Sequence, residues 1–105
     1  MKVTKRSISA IFGVPLSAIE QIGAKQLFII DISNGDIGYR KILVSYRTII
    51  GFHDSEFWHI TTKKYSQTTS CQITAFSRGR QDKIKYIGND ILVSMLPTSL
   101  QYYAK

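Results

Sequence analysis

A chain of 105 residues has room for one domain with one modest core, and its 44% hydrophobic and 20% charged residues exclude disorder along the whole length. The single cysteine, Cys71, excludes an internal disulfide and a zinc cluster built on thiolates. Fourteen Lys and Arg against seven Asp and Glu leave a formal charge of +7, which favours polyanionic partners by long-range attraction and says nothing about fold.

Residues 1–6 read as a basic arm with Lys2, Lys5 and Arg6. Helical spacing follows over residues 7–23, with Ile8, Ile11 and Phe12, then Val14, Ile19 and Ile22. Gly13 can end a first short helix, Pro15 can open a second, and Gly23 supplies a stop. Two helices joined at a glycine resemble a helix-turn-helix, but the second would present only Ser17, Glu20 and Gln21 to DNA, so two packing helices are the better reading. Basic residues before an apolar patch also suggest a signal peptide. Ser7, Ser9, Gly13, Pro15, Ser17 and Glu20 interrupt that patch, and no run has the length of a membrane span, so a cytoplasmic protein without a membrane partner is expected.

Leu27 opens a compact apolar run to Ile32, and Asn34-Gly35 after it is a strong hairpin signal because both residues tolerate positive φ. Residues 40–52 read as one long returning strand, 53–56 as a polar turn and 57–62 as a third strand. Side-chain alternation then puts Ile42, Val44, Tyr46, Thr48, Ile50 and Phe52 on one face and Lys41, Leu43, Ser45, Arg47 and Ile49 on the other. A pairing of Phe52 with Phe57 would set Ile50 beside His59 and Ile49 beside Ile60. Neither face is purely polar, so one is expected to carry helices and the other a partner, subunit or ligand.

Residues 68–78 form the clearest predicted helix: Thr69 suits the N-cap, Gln72 completes a capping box, Ile73 and Phe76 point one way, and Arg78 and Gly79 suit the C-terminus. Residues 83–87 alternate like a strand, 90–96 fit a strand or a short helix equally, and 97–105 form a tail after Pro97. The expected fold is a single α+β domain with a small antiparallel meander of three to five strands and two or three short helices packed on one face.

No nucleophile, metal or phosphate-loop motif stands out, so no enzymatic activity and no cofactor is expected. Cys71 would sit in the first turn of the 68–78 helix, yet nothing ties His53 or His59 to it, and a partly buried, inert thiol is the expectation. The acids, Asp31, Asp36, Asp54, Glu56, Asp82 and Asp90 among them, fall mostly in turns. The chemistry on offer is basic and aromatic. Lys41, Arg47, Lys63, Lys64, Arg78, Arg80, Lys83 and Lys85 are the candidate phosphate-binding residues, interleaved with Tyr46, Trp58 and Tyr65 as candidate stacking rings. An edge strand protected by lysines and a solvated helix end would leave the same cations without any ligand.

The run Leu43-Val44-Ser45-Tyr46-Arg47-Thr48, followed by Trp58-His59-Ile60-Thr61-Thr62-Lys63-Lys64-Tyr65-Ser66 and Thr68-Thr69-Ser70, resembles a group of short uncharacterised proteins of phages and related mobile elements. In that group a VSYxT strand precedes a VTxKYSxTTS element that opens a helix. The likeness spans residues 43–76 and departs at Cys71 and Gln72, where a basic or histidine residue is expected. It implies a phage context in the cytoplasm of a host cell, and no known activity. Two functions remain open. One is a non-catalytic phage protein that engages nucleic acid or a nucleotide, to counter host defence in the manner of an anti-CRISPR protein. The other is an inhibitor or assembly component that docks on a host or virion protein, often as a homo-oligomer, through the second sheet face and Tyr102-Tyr103.

Overall fold

The computed structural model describes residues 3–22, 26–32, 40–54, 56–63 and 67–104. Helix α1 (Lys5–Phe12) starts where the Thr4 side chain accepts the Ser7 N–H and stops at Gly13, whose φ of 65° is the left-handed conformation that glycine adopts without a Cβ clash. A 3-10 turn, Leu16–Ala18, leads into β1 (Ile19–Ile22). The second helix of the sequence reading is therefore a strand. Ile19 and Ile22, three apart, suit one helical stripe, but in the strand each meets the cluster on its own face of the sheet, and pairing with β2 (Leu27–Asp31) decides the matter. The helix-turn-helix falls with it, and the expected stop at Gly23 lies outside the described residues.

Strand β2 pairs antiparallel with β3 (Lys41–Ser45), as an Asn-Gly hairpin requires, although Asn34 and Gly35 themselves lie outside the described residues. The long strand expected over residues 40–52 is broken. Tyr46-Arg47 is a tight two-residue turn, and β4 (Thr48–His53) folds straight back with Ser45 opposite Thr48. Tyr46 takes φ of 57°, the sign that the first central residue of a type II′ turn demands. A bulge between Leu43 and Val44 in the register leaves Leu43 opposite Gly51 and Val44 opposite Ile49. The extra residue, Ile50, turns to the face of Leu43 while Ile49 joins Val44, so simple alternation mis-assigns both. Strand β5 (Trp58–Thr61) pairs two residues away from the expected register, with Phe52 opposite His59 and Gly51 opposite Ile60.

Helix α2 (Gln67–Ser77) then crosses over and returns the chain through a 3-10 turn, Gln81–Lys83, to β6 (Ile84–Ile87), which lies parallel to β5. Six strands in sequence order make one mixed sheet, an α+β arrangement larger than the expected meander and with one parallel pair. Residues 90–96 resolve as helix α3 (Asn89–Met95), and the expected tail is a 3-10 helix, Thr98–Ala104, that packs back on the domain. Tyr103 lies 4.7 Å from the Phe12 ring, Ala104 is buried, and Asn89 donates from Nδ2 to the Ala104 carbonyl at 2.7 Å.

Helices cover both faces, not one. Ile8 of α1 and Leu92 of α3 join Phe28, Ile30, Ile42, Val44, Ile49 and Phe52 in one cluster. On the other face, Phe76 of α2 packs with Leu27, Leu43, Ile50, Trp58 and Ile60. Each face buries its own apolar surface, which is how a small sheet with two greasy faces excludes water. Among the described residues no helix is long and apolar enough to cross a membrane.

Candidate functional site

Strand directions sort the candidate cations into two ends. Antiparallel pairing puts the Tyr46-Arg47 turn at the same end of the sheet as Thr61, and a crossover helix must run back along the strands. The start of α2 and Lys63 therefore share the hairpin end with Arg47, while Arg78, Arg80 and Lys83 lie at the other end of α2. Eleven helical residues separate the two, about 16 Å. Lys41, opposite both Asp31 and His53, belongs to the second end. Lys85 sits on the edge strand with Nζ 4.4 Å from the centre of the Phe57 ring. Among the described residues these cations do not form a single patch, because a crossover necessarily sends the residues before and after its helix to opposite ends. Lys64 and Tyr65 lie outside the described residues.

Trp58 is corrected from a stacking surface to a core residue. It is 7% exposed, meets Phe76 edge-on at 5.2 Å and lies 4.9 Å from His53. Its position opposite His53 in the register turns the ring under α2, and no base can reach it there. Arg80 also has structural work: its guanidinium lies 4.4 Å from the centre of the Phe76 ring and its Nη1 donates to the Phe76 carbonyl at 2.8 Å, closing the end of α2.

At the hairpin end the structure brings together residues that the sequence scatters. Ile11 of α1, Arg47, Thr48 and the C-terminal Tyr102 and Tyr103 line a cleft of about 590 Å³. Tyr102 is 77% exposed and stands edge-on to Tyr103 at 5.3 Å, and Tyr103 in turn is anchored by its hydroxyl donating to the Ile11 carbonyl at 3.4 Å. One tyrosine thus holds the other in place while the outer ring faces solvent. Tyr46 is a second exposed ring at this end, at 37%. A left-handed φ is sterically costly for an aromatic residue, on the order of 1–2 kcal/mol. The Tyr46 N–H donating to the Gln26 carbonyl at 3.0 Å helps to hold it. Cation and rings side by side can grip a phosphate and stack a base. Composition alone had treated Tyr102-Tyr103 as a tail, and its place in the cleft follows from the return of the chain after α3.

Helix α2 is fixed by an unexpected device. It begins two residues before the predicted cap, and Thr69 and Gln72 are buried beneath it instead of capping it. Ser45 Oγ donates to Gln72 Oε1 at 2.5 Å and lies 3.3 Å from Thr69 Oγ1, which ties the helix to the strand that leads into the Tyr46-Arg47 turn. Cys71, on the same helix, is exposed and not partly buried.

At the opposite end, Asp54 organises the β4–β5 turn. Its carboxylate accepts the N–H groups of Glu56 at 3.0 Å and Phe57 at 2.9 Å, and its other oxygen lies 2.8 Å from His59 Nε2. Burial works to raise its pKa, but the Phe57 N–H, the His59 ring and the Glu56 N–H together outweigh it and hold the carboxyl well below its usual range. Burial lowers the pKa of the neighbouring His53 against the pull of Asp54, and Lys41 and His59 add to the lowering. His59 shares the face of Phe52, whereas Cys71 lies on the helix covering the other face. The sheet stands between imidazole and thiol, so these two do not form a nucleophile–base pair. Among the described residues no group of three or more His, Cys, Asp or Glu side chains could hold a metal ion.

The description of one protein family fits residues 16–93, from the first 3-10 turn into α3. The chain belongs to this family of unknown function, DUF8033. The matched span contains Arg47, Lys63, α2 and the Arg78 to Lys85 segment, while Ile11, Tyr102 and Tyr103 of the cleft lie beyond it. Neither the curated proteins nor the solved structures include a match.

Proposed function

We propose that this member of the family is a non-catalytic binding protein that engages nucleic acid or a nucleotide at the hairpin end. The observation that carries the reading is the cleft in which Arg47 stands beside the exposed, anchored Tyr102 ring. The net charge of +7 adds long-range attraction for a polyanion. The resemblance of residues 43–76 to phage proteins extends the proposal to a role in the cytoplasm of a host cell, against host defence.

Docking on a host or virion protein has lost part of its motive, since the second sheet face, which was to receive the partner, lies under α2. The test is fluorescence anisotropy with a labelled dinucleotide across a salt series. Binding at low salt that weakens as salt rises is expected. Arg47→Ala and Tyr102→Ala should each weaken it by about tenfold, the lower range of one lost stacking or charge contact. No binding at low salt, or identical binding by both variants, overturns the proposal.

A further inference from the structure

Residues 57–81 contain no Asp or Glu, and they carry Lys63 and Lys64 ahead of α2 and Arg78 and Arg80 behind it. This stretch is the β5–α2 crossover itself, so Lys63 on one side and Arg78 and Arg80 on the other end up at the two poles of a helix whose solvent side is uncharged. A shallow groove of about 340 Å³ runs along that side, lined by Gln67, Ser70, Cys71, Thr74, Ala75 and Arg78. Arg78 and Lys83 are exposed and make no ion pair among the described residues.

We infer that the ligand is a single strand of nucleic acid that continues from the hairpin end along the outer side of α2 to Arg78, Arg80 and Lys83. The inference rests on the proposed hairpin-end reading and adds the ligand class and its path. A mononucleotide carries its charge within a few ångströms and cannot engage both poles of α2. A stacked strand advances about 3.4 Å per nucleotide, so about five nucleotides match the helix length of about 16 Å. The Ser45, Thr69 and Gln72 contacts hold the start of α2 against the strand carrying the Tyr46-Arg47 turn, so a strand leaving the cleft reaches the helix by passing over that turn. The absence of carboxylates from residue 57 to 81 keeps the route along α2 free of repulsion for a polyanion, with Asp82 beside Lys83 at its far end. Unpaired bases are required because Tyr46 and Tyr102 can stack only on rings that a duplex keeps covered.

Anisotropy with labelled strands of about two, five and ten nucleotides tests the path, at a range of salt concentrations. Affinity should rise from two to five nucleotides and then level off. The double variant Arg78→Ala/Lys83→Ala should leave dinucleotide binding intact and reduce the salt slope for the longest strand by about 1.4, two phosphate contacts at about 0.7 each. Equal affinity at every length, or an unchanged slope in the double variant, overturns the path along α2 while the hairpin-end site stands. Equal binding of a duplex of the same length overturns the single-strand assignment. Loss of binding at all lengths, dinucleotide included, overturns both the path and the site on which it rests.

Discussion

The two faces of the sheet are closed by different chemistry. On one, α1 and α3 lie over an apolar cluster that runs from Ile8 through Phe28 and Ile42 to Leu92, with one buried hydroxyl, that of Thr61, donating to Asn89 at the start of α3. On the other, α2 buries Thr69, Gln72 and Phe76, so two of its three deepest side chains are polar. Apolar area drives a helix onto a sheet without specifying where along the strands it stops. The hydroxyl of Ser45 meeting Gln72 and Thr69 specifies that position, because a buried donor or acceptor displaced from its partner loses its hydrogen bond with no water to replace it. Both faces bury apolar surface, and the α2 face adds the larger polar contact, which aligns α2 with the hairpin end where ligand is proposed to bind.

The comparison breaks most readily at the apolar face. Phe28 is fully buried in the centre of the α1/α3 cluster. Phe28→Ala should cost about 3–5 kcal/mol, enough to unfold much of a population of this size of domain, and urea denaturation measures it. A cost below about 1 kcal/mol would show that this face collapses around the gap and is not close-packed.

A smaller effect sharpens the account of the α2 face. Gln72→Leu strips Ser45 of its acceptor and should destabilise by about 1–3 kcal/mol. Adding Ser45→Ala should recover part of that loss, since the orphaned hydroxyl goes with it, and a double-mutant cycle reads the coupling. Additive losses would mean that the serine and glutamine contribute independently and that shape alone positions α2.

Much of the framework was legible in the residues, and the failures share a cause. The Asn-Gly hairpin, the strand over 57–62, the α2 segment and the β6 strand follow from local signals, and the structure shows strand or helix at each flank. Thr69 and Gln72 misled because the three-residue spacing of a capping box is also the spacing of a buried helical stripe, and only the strand beneath distinguishes the two. Tyr46-Arg47 carries none of the glycine or asparagine that announces a tight turn, so the break in the long strand left no local signal. Grouping the cations failed for a topological reason: residues close in sequence on either side of a crossover helix part company by the length of that helix. Tyr102 and Tyr103 reach the cleft through the fold of α3 and the final 3-10 helix, a contact 92 residues apart in the chain for Tyr103 and Ile11.

The mildest prediction concerns the end away from the hairpin, where Asp54 holds the β4–β5 turn. Its carboxyl pKa is below the value of 3.8 that it has in the unfolded chain, because the Phe57 and Glu56 N–H groups and the His59 ring outweigh the opposing effect of burial. The unfolded state therefore takes up the proton first. The contribution of Asp54 is complete above pH 3.8 and drains away as pH falls from there toward the folded value. His53, lowered chiefly by burial, acts in the same direction at higher pH: its contribution begins to fade as pH drops through 6.5. Asp54→Asn keeps an acceptor for the two N–H groups and removes the titration, so thermal melts of this variant should lose less stability than the parent between pH 4 and pH 2. Since a third of the Asp54 side chain remains exposed, solvent screens the ion pair and the difference will be modest, with parallel acid limbs for the two proteins ruling out Asp54 as the group responsible.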